Sequence, residues 1–177
     1  MLYKEFLNRK GYLNDESSFN SHKIETCQEL VDAILKNKKY IPNYLSCYDG
    51  KDWENIANTV TEPDVKLNGY YKHLIYRNDE FEIFLIVWFS NAESPIHNHP
   101  EKGCFVKILS GLLEETTFQN IGNSQVKFLE TKLLSVNDIN FRAGNDIVHR
   151  IKNTTMERVV SLHVYLPPNF KSSFFNI

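Results

Sequence analysis

The chain has 177 residues, 42% of them hydrophobic and 13% aromatic, with a formal net charge of −2. That length suits a single domain, residues 1–177, whose core needs no cross-links. The near-neutral charge leaves no basic footprint for nucleic acid or an anionic membrane surface.

Lys4, Glu5, Arg9 and Lys10 interrupt the first ten residues, so no signal-peptide apolar core is expected there. Thr26-Cys27-Gln28-Glu29 has the capping-box pattern, and Leu30, Val31, Ile34 and Leu35 follow at helical spacing, predicting an amphipathic helix. A shorter helix is predicted over 53–60, with Trp53, Ile56, Ala57 and Val60 inward and Pro63 ending it. From about residue 70 the pattern turns to period two and to short apolar runs. Strands are predicted at 70–77, 81–89, 94–99, 103–110, 112–119, 125–135, 147–152 and 158–166, joined by Asn-Asp, Gly-Asn and Ser-Gly turns. Twelve Phe and nine Tyr suit such pleated surfaces. The longest uncharged apolar stretch, 83–92, is too short to span a bilayer. Three cysteines without C-x-x-C spacing argue against a disulfide framework and fit a reducing cytoplasm. The expected architecture is mainly β: a closed barrel or sandwich over about 66–170, a helical part over about 1–65 packed on it, and a short tail.

Residues 94–104 read SPIHNHPEKGC. In a strand, residues i and i+2 share a face, so His97 and His99 would aim two imidazoles at one point. A third histidine, His149, follows the turn-like RAGND and could be swung across a barrel to meet them. Three imidazoles without a carboxylate leave open positions on a first-row metal, which marks a catalytic rather than a closed structural site; zinc and iron both fit that donor set.

The order His97-x-His99, Cys104, Gly111, then His149 with Asn153 resembles the two motifs of the cupin superfamily, with Cys104 where the usual glutamate ligand stands. With Tyr76-Arg77-Asn78, SPIHNHPEKGCFVKILSGLLEET and VSLHVYLPP at 160–168, the chain is similar to the cysteine dioxygenases over roughly 70–170. The resemblance implies a cupin-type, jelly-roll-like barrel holding one ferrous ion on His97, His99 and His149, with no organic cofactor. It implies L-cysteine and dioxygen as substrates, oxidation of the thiol to its sulfinic acid, and a monomeric cytoplasmic enzyme.

Taken alone, Arg77 is a strand-end arginine exposed to solvent; the resemblance assigns it to the substrate carboxylate, for which a guanidinium fork is suited. Ser161, His163 and Tyr165 alternate along one face of a strand, a pattern that by itself describes a solvent face. The resemblance turns that row toward the cavity, with Ser161 orienting His163, His163 bonded to the Tyr165 hydroxyl, and Tyr165 joined to Cys104 by a thioether. Cys104 alone reads as a small buried hydrophobe, as do Cys27 on the helix stripe and Cys47 in a loop. His22 and His73 have no partners at metal spacing. The cis proline of these enzymes corresponds to Leu166-Pro167. One departure concerns the tyrosine that commonly precedes the arginine by two residues, since Ile75 stands there. That leaves room for another small thiol such as 3-mercaptopropionate, and a non-catalytic metal-binding cupin is the rival from a different class.

Overall fold

The computed structural model describes residues 7–12, 22–61 and 68–177. The chain divides into two compact units, Met1–Asn58 and Thr59–Ile177.

In the first unit the predicted amphipathic helix is α1, Cys27–Lys36. Thr26 caps it by accepting from the Glu29 N–H at 3.1 Å, satisfying a donor that the first turn leaves free, and the Glu29 carboxylate accepts from the N–H of Glu25, the residue before the cap, at 2.7 Å. Cys27, Leu30, Val31 and Ile34 form its buried stripe, while Leu35, expected on that stripe, is 43% exposed. A helix that the pattern did not predict, α2, runs Ile41–Cys47 with Pro42 in its first turn, so Cys47 ends a helix instead of lying in a loop. The short helix α3 spans Trp53–Thr59, and Pro63, expected to end it, lies outside the described residues.

The second unit is the expected two-sheet jelly roll. One sheet has the order β1 (Tyr70–Arg77), β2 (Glu82–Trp88), β9 (Val159–Tyr165), β4 (Cys104–Ser110), β7 (Ile139–Arg142). The other has β10 (Phe174–Phe175), β3 (Ile96–His97), β8 (Ile147–Lys152), β5 (Leu112–Gly122), β6 (Gln125–Ser135). The pairings between these strands are all antiparallel. The expected strand at 94–99 shortens to Ile96–His97, and β7 and β10, four and two residues long, carry too little period to be read in advance. The cis peptide at Leu166-Pro167 is present.

Two sequence features set the geometry around the cavity. Gly111, between β4 and β5, has φ +73, and a Cβ there would lie 2.7 Å from Val159, so the turn requires glycine on both counts. Asn153, fully buried just after β8, donates to the carbonyls of Trp88, Phe89 and Glu157 and accepts from the Thr155 N–H and hydroxyl. One carboxamide thus fastens the β8–β9 connection to the end of β2. Asn153→Ala should lower unfolding stability by about 2–4 kcal/mol, because several buried polar groups lose their partner at once. A denaturant midpoint unchanged from wild type would show that the connection is held by other contacts.

Candidate metal centre

The three histidines converge, though not by the route expected. His97 lies on β3, but His99 is past the strand end, its N–H bonded to the Gly144 carbonyl at 3.2 Å. His149 is not across a barrel from them: β8 is the neighbour of β3, and His149 is the register partner of His97. The ring centroids lie 4.6–4.9 Å apart, and one nitrogen from each histidine falls within 4.8 Å of the others.

The hydrogen bonds decide which nitrogens are available. His97 Nδ1 lies 2.8 Å from the Pro95 carbonyl, which can only accept, so that nitrogen carries the proton and Nε2 keeps its lone pair. His149 Nδ1 lies 2.6 Å from Glu115 Oε1. Burial raises the Glu115 pKa, but the His149 hydrogen bond and the charges of His149, Arg142 and Lys132 outweigh it and hold the carboxyl well below its ordinary range. Glu115 is therefore an acceptor, and His149 too presents Nε2. His99 has a buried Nδ1 with no hydrogen-bond partner among the described residues. Burial lowers the pKa of all three imidazoles, aided by the neighbouring histidines at His97, which falls to about 3, and at His99; at His149 burial outweighs the opposing pull of Glu115, with Arg142 and Lys132 adding to the lowering. Three neutral imidazoles with free lone pairs and one unpaired ring nitrogen are a donor set that fits a first-row divalent ion.

The polar row on β9 faces inward. This strand is central in its sheet, buried along its whole length, with Ile86, Phe84 and Glu82 on one side opposite Ser161, His163 and Tyr165. On the other side Ile108, Val106 and Cys104 face the same three residues. A solvent face is excluded. The Trp88 indole N–H donates to Ser161 Oγ at 2.8 Å, leaving the Ser161 hydroxyl to donate to His163 Nε2 at 2.8 Å. His163 is buried like His99 and His149, its pKa well lowered by burial, and it stays neutral as an acceptor. Its ring lies nearly parallel to that of Tyr165, centroids 6.1 Å apart, and the Tyr165 hydroxyl has Cys104 as its partner instead of the expected His163. The Tyr165 hydroxyl interacts with Cys104, its register partner on β4. Burial raises the pKa of both groups, keeping thiol and phenol protonated.

Arg77 falls elsewhere. Its Nε lies 2.7 Å from Glu82 Oε2, its side chain is 39% exposed, and it does not line the cavity. The cavity, of about 150 Å³, is lined by the three histidines, His163, Tyr165, Trp88, Tyr70 and Lys72. That is well below the several hundred Å³ of drug-sized sites and suits a small metabolite. Lys72, exposed at the mouth, sets its ammonium 5.6 Å from the Tyr165 ring centroid and 5.9 Å from that of Phe84. A register shift between Leu74 and Tyr76 explains the misplacement: it changes the phase of β1, so counting back from Arg77 by twos selects Ile75 and His73 and misses Lys72 and Tyr70. A tyrosine does stand two residues before a cavity-lining cation, Tyr70 before Lys72.

The family model for cysteine dioxygenase type I matches residues 48–176. The chain belongs to the cysteine dioxygenase type I family. It is 27% identical to cysteine dioxygenase type 1 of Danio rerio over 152 residues, 82% of this chain and 73% of the relative. To the Homo sapiens protein of the same name it is 34% identical over 104 residues, covering 56% of this chain and 52% of that one. The chain therefore spans about half the length of the mammalian relatives it matches. A solved structure from Bacillus halodurans shares the fold alone, with TM-score 0.52 and 13% identity over 71% of this chain and 86% of that one. Among the described residues, no helix is long and apolar enough to cross a membrane.

Proposed function

We propose that this chain oxidises L-cysteine with dioxygen to cysteine sulfinic acid at a ferrous ion held by His97, His99 and His149. The observation that carries the proposal is the set of three neutral imidazoles at the floor of a small cavity whose mouth holds one cation, Lys72. Bound there, iron would supply open positions and the redox couple for the reaction, in which both oxygen atoms of dioxygen are added to the thiol. Lys72, not Arg77, would take the substrate carboxylate, with Tyr70 beside it, because Arg77 is already neutralised by Glu82. Tyr165, fixed between Cys104 and the stacked His163 ring, would present its hydroxyl to the bound reactants. Ser161 keeps His163 in one tautomer. A cytoplasmic setting fits the free thiols.

The test is oxygen uptake by the iron-loaded protein with cysteine, cysteamine and 3-mercaptopropionate in parallel. Cysteine should be consumed one-to-one with oxygen and yield sulfinate. No uptake with any of the three would reject thiol oxidation, and a preference for 3-mercaptopropionate would move the substrate assignment to that thiol.

The register pairing of Cys104 with Tyr165 supports a thioether between them. A sulfur–carbon bond would replace one S–H and one ring C–H, and the two hydrogens with their electrons pass to dioxygen. Turned-over protein should contain a species lighter by two hydrogens, joined around residues 104 and 165, that Cys104→Ser abolishes while partial activity remains. Peptide mapping that finds only free Cys104 after extended turnover argues against the bond without touching the metal site.

A further inference from the structure

We infer that Glu115 is a positioning residue for the metal centre: its carboxylate locks His149 in one tautomer and orientation and strengthens it as a ligand. The inference rests on the reading that the three histidines hold a metal ion. Glu115 is completely inaccessible to solvent, on β5. Its register partner on β8 is Ile151, two residues past His149, so the two side chains are diagonal neighbours that a glutamate is long enough to join. The carboxylate is held from several directions. Asn140 Nδ2 donates to it at 2.8 Å, Arg142 Nε and a terminal guanidinium nitrogen at 2.8 and 2.7 Å, and Lys132 Nζ lies at 3.2 Å. Asn140 and Arg142 come from β7 in the opposite sheet, so the network ties the two sheets together at a metal ligand.

Stability alone does not account for this arrangement, since buried ion networks replaced by apolar packing are often as stable or more so. What the network achieves is local. With Oε1 fixed by Asn140 and Arg142, His149 has one acceptor for its Nδ1 proton, and Nε2 is turned to the cavity. A carboxylate partner makes the imidazole a stronger donor than a neutral partner would, and metal-bound histidines with such partners depend on them for affinity. His97 has a backbone carbonyl in that position. His149 is therefore the ligand through which charge reaches the metal.

The experiment uses the full chain loaded with ferrous iron, reading iron dissociation against a competing chelator and the midpoint potential of the bound iron. Glu115→Gln keeps an acceptor carbonyl but removes the charge, and should weaken iron binding roughly 10- to 100-fold and raise the potential. Because that variant leaves the Arg142 guanidinium without its anionic partner, which lowers fold stability, the deciding protein is the double variant Glu115→Gln with Arg142→Met. It removes one charge of each sign, so the net charge near the metal is unchanged, and a raised potential then reports the hydrogen bond itself. Unchanged affinity and potential in the folded double variant would overturn the inference, as would weaker binding with no change in potential, which is what a purely structural role gives. Wild-type protein that binds no iron, or His149→Ala that binds as well as wild type, would instead overturn the metal-centre reading, and the role of Glu115 with it.

Discussion

Alanine in place of any one of His97, His99 or His149 should abolish both iron retention and thiol oxidation while the barrel stays folded. The side chains line a cavity, so truncating one enlarges an existing space instead of opening a new hole in the packed core. The loss of affinity should exceed the roughly 10- to 100-fold that removal of an outer hydrogen-bond partner costs, because three ligands are already the smallest set and binding depends on each. His163→Ala is the control. His163 is buried in the same cavity, yet it is bonded to Ser161 and stands outside the cluster of three. Metal analysis with a thermal melt on each variant decides the matter: near-normal iron in a folded His97, His99 or His149 variant removes that residue from the site, and loss of iron from His163→Ala would add a fourth.

Lys72→Met should raise the KM for cysteine by roughly 10- to 100-fold, the cost of one charge-assisted hydrogen bond of about 1.5–3 kcal/mol, and leave turnover of cysteamine, which has no carboxylate, nearly unchanged. Arg77→Met should do little to either substrate. Its guanidinium is spent on Glu82, and a partly exposed ion pair of this kind contributes about 1 kcal/mol or less to stability. The methionine keeps the apolar length of the lysine stem that packs toward Phe84 and Tyr165, so the change isolates the charge. Equal losses on cysteine and cysteamine would make Lys72 a structural residue. A larger KM effect at Arg77 than at Lys72 would restore the carboxylate to the arginine that the family resemblance favours.

Much of the site was legible along the chain because its signals are local. The H-x-H pair, the cysteine seven residues after His97, and the S-x-H-x-Y row each sit within a few residues, and alternation along a strand is enough to put Ser161, His163 and Tyr165 on one face. Alternation could not say which face. That was decided by the position of β9 between β2 and β4, where both of its surfaces are buried, and only family resemblance anticipated it. Glu115 shared a face with Leu113 and Thr117, a signal that was present but reads like a solvated strand until Arg142 and Asn140 arrive from the other sheet.

By itself, then, the sequence determined the mainly β architecture, the three histidines and the pairing of residue types around them, because hydrophobic period and short-range spacing are properties of the chain. Tertiary structure alone decided that His149 sits beside His97 and not across from it, that a carboxylate stands behind His149, and that Lys72 instead of Arg77 reaches the cavity. Each of these depends on which strands are neighbours and on one register shift in β1. Neighbour and register are set by long-range packing, and one slipped residue changes which side chains point inward without altering a letter of the sequence.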